Sequence, residues 1–151
     1  IAWTLMPKKL EININMEIDF KADFDLYQFI CQVLDQVHIQ AGYIDFNFID
    51  NQTIQKLNQT YLKKDCPTDV ITFNLAEKEE PIWGDIYISL EQATQNARTF
   101  KNSFSEEIKL LIVHALLHLL DWQDYTESEQ KKMFEEQQKI LEAIKKQNLE
   151  T

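Results

Sequence analysis

The chain has 151 residues, of which 44% are hydrophobic and 26% charged, a balance that suits one globular domain with a sizeable core and argues against disorder. Its 25 acidic residues outnumber its 15 basic residues, and the formal net charge of −10 argues against a protein that coats nucleic acid with its whole surface, while leaving room for a local basic pocket. No apolar run approaches the roughly 20 residues that span a bilayer.

We therefore expect a single domain over residues 1–151 in the cytoplasm. The segment 1–9 is too short and wrongly flanked to be a signal peptide, so we expect it to be flexible or tag-derived, with Met6 as a candidate native start after Ile1–Leu5. Cys31 and Cys66 fall in a predicted helix and a predicted loop. They form neither a disulfide framework nor a paired thiolate metal motif, which fits a reducing compartment.

Hydrophobic periodicity predicts the elements in chain order. The first half reads as a strand at 12–20, a helix at 26–37, a strand at 44–48, a short helix at 54–61, a strand at 70–73 and a strand at 82–90. The second half reads as helices at 90–100, from Ser103 through Leu119, and at 126–146. Ser103 and Glu106 match a capping box at the start of the middle helix. We predict an α+β fold with a small mixed four-stranded sheet packed against about five helices.

Two histidines interrupt an apolar segment of the predicted middle helix. His114 and His118 are four positions apart, so on an α-helix both imidazoles lie on one face and can approach a single ion. Imidazole nitrogens of this kind suit Zn²⁺. The alternative is a pair of core histidines hydrogen-bonded to backbone or carboxylate groups. The spacing, with two aspartates just downstream, favours the metal site.

The two aspartates compete as the third ligand. If the helix continued to Asp121, its short carboxylate would lie about 7.5 Å along the axis from an ion held between the histidines, which is too far. Asp124 follows His118 by six residues, the interval that separates the second and third histidines of H-E-x-x-H-x-x-G-x-x-H metalloproteases. Asp121 would then replace the turn glycine, because Asp tolerates a left-handed conformation. We predict His114, His118 and Asp124 as ligands of one Zn²⁺ per chain.

This ligand set predicts a catalytic and not a structural site. Three protein ligands leave a fourth position for water, and the metal-bound water is the predicted catalytic group. A carboxylate in place of a third imidazole cancels one charge, so we expect a less acidic water and more tolerance of harder ions. Ala115 stands where zincin proteases carry their general-base Glu, which disfavours ordinary proteolysis.

In this predicted zincin-like metal helix, the chain resembles the YbeY family of ribosomal RNA maturation endoribonucleases. The family signature H-G-x-L-H-L-x-G-Y-D-H compares with residues 114–124, which read H-A-L-L-H-L-L-D-W-Q-D. Further similarity lies at 57–61 (family L-N-x-x-Y-R), 65–73 (D-x-P-T-D-V-L-S-F), 84–86 (G-D-I) and 105–107, the start of the metal helix. Order and spacing agree from about Leu57 to Asp124.

The chain departs from the family pattern at several positions that bear on the site. Asp124 replaces the third histidine, which is chemically conservative; both signature glycines are replaced; and the arginine that follows the tyrosine falls on Leu62. In the family, phosphate binding is usually attributed to that arginine. Lys63 or Lys64 is a candidate replacement, acting as a point charge and not as a bidentate fork. Two solvated loop lysines are the alternative.

The resemblance implies cleavage of single-stranded RNA, in 3′-end processing of the small-subunit ribosomal RNA and in ribosome quality control. Lys63, Lys64, Arg98 and Lys101 are candidates for contacts with the RNA backbone. The net charge of −10 suggests that ribosomal proteins or ribosome-associated factors help to deliver the RNA.

Two other functions stay open at this point. A metallopeptidase would need Glu106, Glu107 or Glu127 beside the metal as its base. A non-catalytic ribosome-assembly factor would use the metal for folding alone. Comparing digestion of single-stranded RNA with digestion of casein separates the nuclease from the peptidase. A metal with no open coordination position would indicate the non-catalytic factor.

Overall fold

The structure is a computed structural model that describes residues 9–150, where the chain forms four strands and five helices. The strands are β1 (Leu10–Met16), β2 (Gly42–Ile49), β3 (Val70–Asn74) and β4 (Ile82–Ser89). The helices are α1 (Leu26–Gln36), α2 (Asn51–Leu62), α3 (Leu90–Phe100), α4 (Phe104–Leu119) and α5 (Glu127–Leu149). The expectation for segment 1–9, including Met6, lies outside the described residues except at Lys9.

The four strands form one mixed sheet in the order β1-β2-β4-β3. β1, β2 and β4 are parallel neighbours, and β3 pairs antiparallel with β4 at one edge. Parallel neighbours need a crossover connection, which α1 supplies between β1 and β2. The mixed four-stranded sheet and the five helices confirm the predicted fold class.

The two faces of the sheet differ in chemistry. One face packs against the helices and carries the fully buried side chains of the core. In β2 and β4 these are Ile44, Phe46, Phe48, Ile86 and Ile88. The opposite face is polar over much of its width, and amide side chains link the strands there: Asn13 donates to Asp45 (2.9 Å) and Asn47 donates to Asp85 (2.9 Å). Strand alternation thus leaves one face of the sheet for the main core. The other face is polar at β1 and β2, and where α2 packs against it lies a second, smaller buried cluster of Ile49, Ile54 and Ile71.

Helix α4 lies against the inner face of the sheet and is the most buried helix in the described range. Its approach is close: a Cβ added at Gly84 in β4 would meet a Leu119 methyl carbon at 2.7 Å. Gly84 thus permits a close approach between the sheet and the end of α4. A residue other than glycine there would force the Leu119 side chain to shift. No helix within residues 9–150 has the length and apolar character to cross a membrane.

The first strand is shorter than its alternation predicts. The pattern continues to Phe20, but β1 ends at Met16, whose pairing partner Phe48 is the last but one residue of β2. Ile18 is exposed, and Phe20 instead packs its ring against Phe48 at 5.1 Å between centroids. The available partner strand sets the length of β1, and alternation alone could not predict it.

Other helix and strand boundaries differ from the predicted ones by a few residues, and capping residues account for some of these differences. Ser89 caps α3 by accepting from Gln92 N, so β4 ends there and Leu90 begins the helix. Asp50 caps α2, which is longer than predicted. Helix α5 runs to Leu149. The predicted capping box at the start of α4 is confirmed, because both of its hydrogen bonds are present.

Candidate metal centre

Helix α4 presents its two histidines on one face. The imidazole Nε2 atoms of His114 and His118 lie 3.0 Å apart, with the rings nearly perpendicular at 83°. Their side chains are 26% and 27% exposed, while almost all of the α4 residues around them are buried. The helix therefore holds both rings at the border between core and solvent, where they remain accessible to a ligand.

A tight turn returns the chain over these rings. Asp121 adopts φ of 69°, the left-handed conformation expected at the position where the related motif has glycine. Its N–H donates to His118 O and the Trp122 N–H donates to Leu117 O, each at 3.0 Å. The turn brings Asp124 Oδ2 within 3.3 Å of His118 Nε2 and 3.6 Å of His114 Nε2. The structure thus gathers the three predicted ligands and leaves Asp121 in the turn.

Hydrogen bonds behind the rings determine which nitrogen faces the cluster. His118 Nδ1–H donates to the Trp122 carbonyl oxygen at 3.0 Å, which can only accept. His114 Nδ1–H donates to Gln137 Oε1 at 2.5 Å. In the tautomer with Nδ1 protonated, each ring directs the lone pair of Nε2 into the cluster. This is the arrangement that protein metal sites use to orient histidine ligands.

The donor set fits a divalent metal ion. In the tautomer with Nδ1 protonated, two imidazole lone pairs and one carboxylate oxygen converge within 3.6 Å of one another, and a cation between them would offset the repulsion of these three acceptors. Two ligand atoms bound at 2.0–2.1 Å to a tetrahedral ion lie about 3.3–3.4 Å apart, and the three separations here bracket that value. Within residues 9–150 this is the one group of three or more His, Cys, Asp or Glu residues placed to hold a metal.

Two glutamines of α5 support the cluster and were not predicted. Gln137 is buried beneath His114, and Gln130 Nε2 donates to the Asp124 carbonyl oxygen at 3.0 Å. Gln137 interrupts the apolar stripe that continues through Met133 and Ile140. A polar residue on a buried stripe needs a partner, and this signal could have marked Gln137 in the sequence.

Comparison with known proteins agrees with this geometry. Residues 11–145 match the family model described as Endoribonuclease YbeY. The chain belongs to the YbeY family. An Endoribonuclease YbeY from Carboxydothermus hydrogenoformans is 43% identical over 106 residues, which cover 70% of this chain and 74% of the relative. Another from Amoebophilus asiaticus is 36% identical over 130 residues, covering 85% and 88%. The predicted family and enzyme class, a hydrolytic endoribonuclease, are confirmed.

A solved structure extends the likeness to the fold. The solution structure of TM1509 from Thermotoga maritima superposes with a TM-score of 0.56 at 27% sequence identity, and the match covers 87% of each chain. The YbeY family model spans almost all of the described residues, including the three donors of the cluster. The candidate metal centre therefore lies within the part of the chain that the family model matches.

The candidate cations lie outside the donor cluster. Lys63 ends α2 in a left-handed conformation and its Nζ donates to Thr60 O at 3.2 Å, whereas Lys64 is exposed and makes no side-chain hydrogen bond or ion pair within residues 9–150. Leu62, at the position of the family arginine, is 49% exposed. Arg98 and Lys101 are exposed near the end of α3. Within the described range, none of these four basic side chains contacts the three donors.

The carboxylates that a peptidase would need are engaged elsewhere. Glu106 closes the capping box by accepting from Ser103 N at 2.9 Å. Glu107 is buried and accepts from Asn102 Nδ2 at 3.3 Å, and its burial raises the pKa of its carboxyl group. Both precede His114 by seven or eight residues, about 10–12 Å of helix rise. Glu127 is exposed in the first turn of α5. Their positions argue against the metallopeptidase alternative.

Proposed function

We propose that the chain is a zinc-dependent endoribonuclease that hydrolyses single-stranded RNA in maturation of the small-subunit ribosomal RNA 3′ end and in ribosome quality control. The observation that carries the proposal is the convergence of His114 Nε2, His118 Nε2 and Asp124 Oδ2 in a chain of the YbeY family. The family resemblance supports the ribosomal setting, and the proposal includes a cytoplasmic location with ribosomal RNA and ribosome-associated factors as partners.

In this proposal His114, His118 and Asp124 hold one Zn²⁺. The bound ion would supply Lewis-acid polarisation of a phosphoryl oxygen and lower the pKa of water. Two nitrogens and one oxygen suit zinc, although the carboxylate also accommodates harder divalent ions. The residues of the chain supply orientation: Gln137 and the Trp122 carbonyl keep both imidazoles in the tautomer that leaves Nε2 free. Ala115 offers no proton acceptor beside the cluster.

Binding of the RNA backbone would fall to exposed lysines near the end of α2. Lys64 is the stronger candidate, because the Lys63 ammonium already donates to the end of its own helix. A cation near the scissile phosphate stabilises the negative charge that gathers on its oxygens in the transition state.

The experiment measures metal content and cleavage in the same preparations. We expect about one zinc per chain in the wild type, hydrolysis of single-stranded RNA and no hydrolysis of casein. His114→Ala and His118→Ala should lose the metal and the nuclease activity together. A wild-type protein that binds zinc and cleaves neither substrate would support the non-catalytic assembly factor, and one that digests casein would support the peptidase.

A further inference from the structure

A cleft lies on the outer face of the sheet, beside the end of α2 and on β3 and β4. Its volume is about 290 Å³, and it is lined by Leu57, Tyr61, Phe73, Leu75, Asp85 and Tyr87. None of these residues belongs to the metal centre. The volume is at the lower end of the range for small-molecule sites, about 300–1,000 Å³, so the cleft suits a single ring system better than an extended ligand.

Aromatic rings form one wall of the cleft. Phe73 lies between Tyr61 and Tyr87, with edge-to-face contacts at centroid distances of 5.4 Å and 6.1 Å. The two inner rings are partly buried, but Tyr61 is 62% exposed. Its ring is therefore fixed on one side by Phe73 and open to another planar group on the remaining surface. Exposed aromatic rings of this kind are the stacking platforms that single-stranded nucleic acids use.

The charge around the cleft separates two kinds of ligand group. Residues 51–64 include three lysines and no acidic residue, although the whole chain carries a net charge of −10. Inside the cleft, Asp85 accepts from Tyr87 Oη (2.8 Å) and from Asn47 Nδ2 (2.9 Å), both neutral donors. Its carboxylate charge therefore repels phosphate, while its oxygens can accept from an amino group. The lysines outside the cleft attract phosphate.

We propose that this cleft binds one nucleobase of single-stranded RNA, which stacks on Tyr61 while the adjoining phosphates lie at Lys63 and Lys64. A base with an exocyclic amino group, such as cytosine, can donate to Asp85. The inference rests on the proposed RNA-cleaving function and adds to it a base-binding subsite separate from the metal ligands. In this inference Tyr61, which matches the family's tyrosine at the end of α2, contacts the substrate directly.

The test compares RNA with and without bases. Affinity of the full chain is measured, with EDTA present to prevent cleavage, for a labelled cytidine oligoribonucleotide and for a ribose–phosphate chain of equal length that carries no bases. Tyr61→Ala should weaken binding of the first by about tenfold and leave binding of the second unchanged. Tyr61→Phe should bind both as the wild type does, because the ring is retained.

Two controls define the contribution of Tyr61. Tyr27→Ala removes another exposed tyrosine ring, on α1, and should change neither affinity. Lys64→Ala should weaken both ligands equally and reduce the salt dependence. Circular dichroism checks that each variant is folded. If Tyr61→Ala binds both ligands as the wild type does, or weakens both equally, the nucleobase subsite is wrong. If the wild type binds neither ligand, with EDTA or with zinc in its place, the proposed function fails with it.

Discussion

Gln137 gives the sharpest test of how the metal centre is built. Replacing it with Leu removes the acceptor for His114 Nδ1–H and leaves a side chain of similar size on the apolar stripe between Met133 and Ile140. The ring of His114 then loses the contact that keeps Nε2 directed at the cluster. We expect weaker zinc binding, with the fold intact.

The magnitude follows from the exposure of the site. Loss of a hydrogen-bond partner behind a metal-binding histidine typically weakens metal binding by 10–100-fold, about 1.4–2.7 kcal/mol. The His114 side chain is 26% exposed, so water can replace part of the lost hydrogen bond. We therefore expect a loss near tenfold. Without metal, Gln137→Leu should be as stable as the wild type or slightly less so, because the apolar side chain suits the buried stripe while His114 Nδ1–H loses a partner that water replaces only in part.

The assay is competition for zinc against a chromophoric chelator, with thermal unfolding of the metal-free protein measured in parallel. Nitrogen NMR of the zinc-loaded protein should report protonation of His114 at Nδ1 in the wild type. Gln138→Leu is the matched control, since it makes the same change one position away from the residue that contacts His114. An unchanged zinc affinity in Gln137→Leu, or an equal loss in Gln138→Leu, would refute the assignment of Gln137 as a positioning residue.

Three further predictions concern the rest of the site and the helix that carries it. Asp124→Ala should abolish stoichiometric zinc and Asp121→Ala should retain it, as metal analysis can check; the reverse result would contradict the assigned turn. Leu62→Arg should raise kcat/KM for RNA cleavage at low salt, with a gain that shrinks as salt is added, unless Lys64 already supplies the cation. Glu107→Gln should raise the melting temperature at pH 7. Burial raises the pKa of the Glu107 carboxyl above its ordinary 4.5, so the folded wild type loses stability as the pH rises from 4.5 through the raised pKa, whereas glutamine stays neutral. Melting curves in acid should show the difference disappear below pH 4.5, and a constant difference would contradict the argument.

Regular spacing explains why so much of the fold could be predicted. Alternation in β2 reflects burial of Ile44, Phe46 and Phe48 on one face, and the sheet confirms it. The spacing of His114 and His118 is a local property of one helix. Such features depend on residues a few positions apart, and a single sequence contains that information in full.

Features that depend on contacts between distant segments could not be predicted in the same way. The end of β1 is set by the length of β2 across the sheet, and the pairing of Gln137 with His114 joins two helices. The cleft beside Tyr61 forms only when α2 lies next to β3 and β4. In each case the residue type gives a hint, but the partner is known only once the elements are packed.

The charge of the centre connects these observations. A divalent ion with two neutral imidazoles and one carboxylate has a net charge of +1, whereas the family pattern of three histidines would leave +2. Leu62 removes a second positive charge at the position of the family arginine. The site of this chain would therefore have two fewer positive charges than a site with the family's residues, and it would attract phosphate less strongly. An acid-rich protein with such a centre needs its remaining local cations and its stacking surfaces to hold RNA. The lysines of residues 51–64 and the exposed ring of Tyr61 together supply both local cations and a stacking surface.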